Sequence, residues 1–295
     1  MKEAVKRYLI DNGRKLDIAL FNFYENNELV EDVANSLKEF QNEDGGFGNS
    51  LEPDLRLPNS SVLATTVALQ YMGKINLSKD HPLIRTSMNC LYNEFIKDEN
   101  RWINIPEIAN EYPRAPWWQY DACKSSPEWG NPSAEVLGYL IKYGQSNMSQ
   151  SKIDIIFEKA CVRLNEIEQP EFHEVLCFTR LFDMIDGARQ TTIKNTLNNL
   201  IKKCVEQDLD KPEEYRASPL TFIDSPDSPF IDLFDIETID RALLQLKNEM
   251  LNDSHWEPNW TWGESFLQDW IQTKKDWSAK LTVENFQSLK AFAFL

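Results

Sequence analysis

The chain has 295 residues, 42% of them hydrophobic, and sets 31 lysines and arginines against 47 acidic residues for a formal charge of −16. A surface this acidic repels phosphate backbones and anionic lipid headgroups, so nucleic-acid and membrane-surface binding are not expected. The length exceeds that of a usual domain, but a repeat or ring architecture holds it as one unit, residues 1–295. No apolar run approaches a membrane span, and MKEAVKRYLIDNGRKLDIAL lacks the apolar centre of a signal peptide. Cys90, Cys123, Cys161, Cys177 and Cys204 show no CxxC spacing and read as buried free thiols in a reducing cytoplasm. Neither a metal nor another cofactor is expected.

In chain order, residues 1–25 read as a helical N-terminal extension packed on the rest. Amphipathic stripes follow: Leu29 to Phe40, Leu83 to Phe95, Ile153 to Leu164, Ile193 to Cys204, and from Ile239 onward. Between them stand segments that are apolar nearly all round, Val62 to Met72, Ala134 to Tyr143 and Phe172 to Ile185, with a less apolar one from Thr282 to Phe292. Asn131-Pro132 reads as N-cap and first helical residue of the second. Amphipathic and buried helices alternate, as outer and inner layers of an (α/α) barrel would. The fold expected is all-α, a toroid of five or six helix pairs, with inner helices near 60–73, 131–144, 170–185 and 281–293.

Links from inner to outer helices are short, and most links from outer to inner helices are long: 41–59, 97–130, 206–236 and 252–281. In an alternating ring these long links share one face, which is where function usually sits. All nine tryptophans fall in them, and none in a helix assigned to the core. They either plug the barrel end or line a pocket mouth, where flat aromatic faces suit an isoprenoid chain or a sugar ring.

QNEDGGFG, with Gln41, Gly45, Gly46 and Phe47, resembles the Gln-x-x-x-Gly-Gly-Phe signature of the prenyltransferase and squalene-cyclase repeat. FIKDENRWINIP and MLNDSHWEPNW resemble degenerate copies that keep a polar turn followed by an aromatic. EPDLRLPNSS, YPRAPWW and NPSAEVLGYLIKY together are similar to uncharacterised bacterial proteins carrying this repeat. The resemblance implies an α/α toroid without specifying a reaction. The Asp-x-Asp-Asp acid of class II terpene cyclases and the Asp-Asp-x-x-Asp of class I synthases are both absent, with Asp232 and Asp235 only a thin substitute for the latter. The zinc set of protein prenyltransferases is not matched by Asp121, Cys123 and the three histidines.

Candidate chemistry clusters on the long links. Glu52 and Asp54 follow the Gly-Gly turn and suit acid and base roles, or else pair with Arg56 or cap the next helix. Glu135, in the first turn of an inner helix, is the next candidate acid, or complements the helix dipole. Arg56, Arg114, Trp117, Trp118, Tyr120 and Trp260 are the candidate ligand contacts: Arg114 would grip a carboxylate and the rings would stack. His173, at the start of an inner helix, reads as structural. The first functional expectation is a toroid with an aromatic-lined pocket that binds or transforms an isoprenoid. The alternatives are a carbohydrate-active α/α-barrel enzyme, with carboxylates ~5–9.5 Å apart, and a non-catalytic interaction scaffold.

Overall fold

The structure is a computed structural model that describes residues 1–26, 29–121, 129–144, 148–208, 216–252 and 254–295. Among the described residues it is built of α-helices and short 3₁₀ turns, with isolated β-bridges instead of strands. The helices are α1 (Lys2–Asn12), α2 (Lys15–Asn26), α3 (Val30–Lys38), α4 (Val62–Lys74), α5 (Pro82–Asn93), α6 (Gly130–Tyr143), α7 (Gln150–Glu166), α8 (Phe172–Met184), α9 (Gly187–Asp208), α10 (Pro219–Phe222), α11 (Ile236–Asn248) and α12 (Leu267–Ala291). The all-α expectation is met.

Contacts divide the chain into two compact units, one of Phe40–Cys204 and one of Met1–Glu39 with Val205–Leu295. In the first, α4 packs on α6 and α6 on α8, while α5 lies against α4 and α6, and α7 against α6. The apolar helices are therefore neighbours in series, with amphipathic ones laid over them. This follows from composition: nine of the thirteen residues of α4 are buried, whereas α7 buries only the stripe Ile153, Ile156, Phe157, Ala160 and Leu164. In the second unit α12 packs on α1, α2 and α11, α2 also on α3, and α10 on α11.

Helix starts are set by side-chain acceptors. The Ser61 hydroxyl accepts from the Ala64 N–H at 3.0 Å, and Asp235 from Thr238 at 2.7 Å; Glu171 accepts from the N–H groups of His173 and Glu174. Asn131 is extended and joined to Pro132 by a cis peptide, so the regular part of α6 begins at the proline. Its side chain does not cap the helix but accepts from Asn104 at 3.1 Å. The C-terminal helix departs from expectation. It begins at Leu267, not near 281, and Trp270 and Trp277 lie within it, so the tryptophans are not confined to links.

The Gly-Gly turn explains its own residues. Gln41 Nε2 donates to the Gly45 carbonyl at 2.9 Å and to Thr86 Oγ1 on α5 at 2.8 Å. Gly45 has φ +85°, and a Cβ there would lie 2.6 Å from the Thr86 carbonyl oxygen; one on Gly46 would lie 2.6 Å from Cys90 Sγ. Only glycine lets this turn lie against α5. Phe47 is then fully buried, and its N–H donates to Thr65 Oγ1 on α4 at 3.0 Å.

The same device occurs twice more. After α5 a turn bridged between Ile96 and Arg101, with Asn100 at φ +49°, leads to buried Trp102, whose N–H donates to Ser133 Oγ on α6 at 3.0 Å. After α11 a turn bridged between Leu251 and His255, with Asn252 at φ +50°, leads to buried Trp256, whose N–H donates to Thr282 Oγ1 on α12 at 3.1 Å. Both indoles reach back to the preceding helix: Trp102 Nε1 donates to the Leu91 carbonyl at 2.6 Å, and Trp256 Nε1 to that of Leu246 at 2.7 Å. The two sequences that lack the glycine pair thus build the same joint as QNEDGGFG, with a larger aromatic and a left-handed asparagine.

Candidate functional site

Two long links that the sequence singled out lie side by side. Leu55 and Arg114 form an antiparallel bridge, the Arg56 N–H donates to the Pro113 carbonyl at 2.9 Å, and the Ala115 N–H to the Asp54 carbonyl at 2.8 Å. Leu55 and Leu57 form a small core with Ile105 and Ala109, and Leu63, Tyr112, Trp118 and Tyr120 pack against it. Glu52 and Asp54 are buried in this joint, and Arg56 is half-buried. Trp117 stands 50% exposed, the most open aromatic of the pair.

Arg114 is buried, and burial lowers its pKa. Its Nη1 donates to the carbonyls of Asn110 at 3.0 Å and Tyr112 at 2.9 Å, and its Nη2 to Gln119 Oε1. These bonds close the 3₁₀ turn Glu107–Glu111 and stiffen the loop. Tyr120 is tied to Asn110 by two hydrogen bonds of 2.9 Å. Trp260 belongs to the other unit, where it meets Trp277 edge-on at 5.0 Å.

Glu135 is 2% exposed and lies among three helices. Its Oε1 accepts from Tyr139 Oη at 2.7 Å and from Gln70 Nε2 on α4 at 2.9 Å; its Oε2 accepts from Arg180 Nη1 on α8 at 2.8 Å, with Cys177 Sγ at 3.9 Å. Burial raises the Tyr139 hydroxyl well above its ordinary range, and the Glu135 charge adds to this. Burial likewise raises the Cys177 thiol, which disfavours its thiolate form. On Arg180 burial acts to lower the pKa, but the carboxylate outweighs it and the guanidinium is held charged. Gln70, Tyr139 and Arg180 are the residues that single-residue reasoning missed. Their signal was a polar residue recurring every three or four positions on an otherwise apolar helix: Asn131, Glu135 and Tyr139 on α6, and His173, Cys177 and Arg180 on α8.

The two groups are joined through the backbone. The Leu63 N–H donates to the Asn104 carbonyl at 2.9 Å, and Asn104 Nδ2 donates to Asn131, one turn ahead of Glu135. A second buried carboxylate, Glu174, accepts both Nε and Nη2 of Arg163 at 2.8 and 2.6 Å and the Gly130 N–H at 2.9 Å, which fixes the start of α6. His173 is half-buried at the start of α8 and contacts Glu171 at 2.5 Å.

A shallow open depression of about 450 Å³ lies beside the Gly-Gly turn, lined by Asn42, Glu43, Asp44, Asn49, Pro58, Asn59 and Ser60. Its lining residues are mostly polar by type and include none of the candidate aromatics. Among the described residues no group of three or more His, Cys, Asp or Glu could hold a metal ion, and Cys123 lies outside the described residues. No described helix is long and apolar enough to cross a membrane. Comparison with protein-family models, curated proteins and solved structures finds no match for this chain.

Proposed function

We propose that this chain is a toroid of the prenyltransferase-repeat type that binds a small molecule beside its paired long loops. The observation that carries the reading is the joint between residues 52–57 and 112–120. It packs Trp118, Tyr120 and Leu63, the last in the first turn of α4, on one small core of Leu55, Leu57, Ile105 and Ala109, and leaves Trp117 open. The three copies of the aromatic–hydroxyl joint support the repeat relationship. Binding is favoured over acid catalysis at Glu135, because that carboxylate already accepts from Tyr139, Gln70 and Arg180. If a reaction occurs, Asp54 or Glu52 carries it. An apolar, isoprenoid-like ligand suits the Leu63–Trp118 surface.

A carbohydrate ligand is the second reading, favoured by the polar stripe on α6 and α8. The test is tryptophan fluorescence during titration with prenyl alcohols, prenyl diphosphates and disaccharides. Binding should quench or shift the emission, and Trp118→Ala should weaken it about tenfold or more, the scale of lost stacking and area. Unaltered affinity in folded Trp117→Ala and Trp118→Ala variants would reduce these residues to a plug.

A further inference from the structure

We infer that Arg180 and Gln70 form a hydroxyl-recognition subsite for a neutral polyhydroxy ligand, a sugar. This rests on the carbohydrate reading above and gives that ligand named partners on α4 and α8. Arg180 is 36% exposed at its side chain, whereas its partner Glu135 is 2% exposed. The carboxylate thus lies beneath the guanidinium and fixes it through Nη1. A guanidinium carries five N–H donors. Among the described residues Arg180 uses one of these toward Glu135, which leaves Nε and Nη2 to donate elsewhere. Gln70 is in the complementary position. Its Nε2 is committed to Glu135, so its amide is oriented and its Oε1 remains an acceptor. Both side chains hold the same carboxylate by bonds of 2.9 and 2.8 Å, so their heads lie within about 8 Å of each other.

Charge decides the ligand class. Glu135 already neutralises Arg180, and the chain carries −16 overall. A second anion on the outer edge of the guanidinium would meet the Glu135 field with no further cation supplied by Gln70, Tyr139 or Cys177. Hydroxyl groups meet no such penalty. Two of them can accept from the guanidinium edge, and a hydroxyl hydrogen can go to the Gln70 carbonyl, so the set of two donors and one acceptor is filled. Tyr139 donates to the same carboxylate oxygen as Gln70 and serves as a positioning residue, holding Glu135 while Glu135 holds Arg180.

The experiment is calorimetric titration of the full chain with glucose, mannose, galactose and their α1,4- and β1,4-linked disaccharides at millimolar concentration, beside acetate, inorganic phosphate and a prenyl diphosphate. The inference expects binding of at least one sugar and none of the small anions. Arg180→Ala leaves a buried carboxylate without its cation and can unfold the chain, so the deciding variant is the double Glu135→Gln, Arg180→Met, which removes both charges together. With thermal unfolding still cooperative, sugar affinity should fall about tenfold or more, as expected for the loss of two charge-assisted hydrogen bonds. Gln70→Leu should lower it less. Retained sugar affinity in the folded double variant overturns the subsite, as does acetate or phosphate binding in preference to sugars. Binding of the prenyl diphosphate alone overturns the subsite while leaving the small-molecule reading intact. Binding of none of these compounds overturns both.

Discussion

Three buried backbone N–H groups, on Phe47, Trp102 and Trp256, each depend on one hydroxyl of the following helix. A buried donor left without an acceptor costs about 1–3 kcal/mol. Thr65→Val, Ser133→Ala and Thr282→Val should therefore each destabilise by about 1–2 kcal/mol in denaturant titrations, and a midpoint within error of the parent would remove that hydrogen bond from the account. Gly45→Ala and Gly46→Ala should cost more, since each new methyl overlaps backbone or side chain at 2.6 Å and Gly45 also needs its positive φ. The aromatics of this joint were legible, because a turn followed by Phe or Trp recurs along the chain. Their hydroxyl partners were not, because the separation varies, 18, 31 and 26 residues. A thiol beside the same turn gives a further check. Burial pushes Cys90 up to about 12, so alkylation of native protein at pH 8 should spare it. Its rapid modification would show that the turn opens.

At the scale of elements, hydrophobic periodicity located α3, α5, α7 and α11 by their single buried stripe, and α4, α6 and α8 by their lack of a polar face. The first turns of α12 escaped it. Residues 266–272 are half-buried or exposed, and their mixture of Trp, Gln, Phe and Asp has neither pattern. The packing of α1 and α2 on α12 is electrostatic as well as apolar: Glu25 of α2 contacts Lys2 of α1 at 2.8 Å and Lys290 of α12 at 2.5 Å. Burial acts to raise the Glu25 carboxyl, but the hydrogen bonds from the two lysines outweigh it and the pKa is lowered. A lowered folded pKa gives stability that is present above the unfolded value and lost as pH falls through the folded one. His255, stacked on Tyr8 at 4.0 Å, is also lowered, by burial, so its neutral form is favoured. Its contribution is full above its unfolded pKa and declines below it. Stability should therefore fall on acidification in two stages, first from His255 as pH drops below the ordinary histidine value and then in the carboxylate range. In His255→Phe the first stage should vanish from the pH dependence of the denaturant midpoint, and in Glu25→Gln the second should shrink. A profile unchanged by either substitution would contradict these assignments.

For the whole molecule, the acidic composition argued against nucleic-acid and lipid partners, and the long links pointed to where a ligand would sit. Loop pairing and the Gln70–Glu135–Arg180 cluster could not be read in advance, because they join residues 45 to 65 positions apart and arise only when α4, α6 and α8 pack. That packing turns Glu135 from a candidate acid into the centre of a hydrogen-bonded cluster, while local bonds within its own loop commit Arg114 to backbone carbonyls. Among the described candidate residues, Trp117 and the side chain of Arg180 keep exposed surface. A small molecule held at the paired loops should survive gentle purification. Native mass spectrometry of the chain purified gently from its host tests it most directly, with a Trp117→Ala, Trp118→Ala double variant prepared in parallel. The parent chain should carry an added mass of a few hundred daltons that is removed by mild activation and depleted in the variant. Bare protein from both preparations, together with no fluorescence response to isoprenoids or sugars, would contradict it. An added mass equally abundant in the variant would contradict its placement at the paired loops.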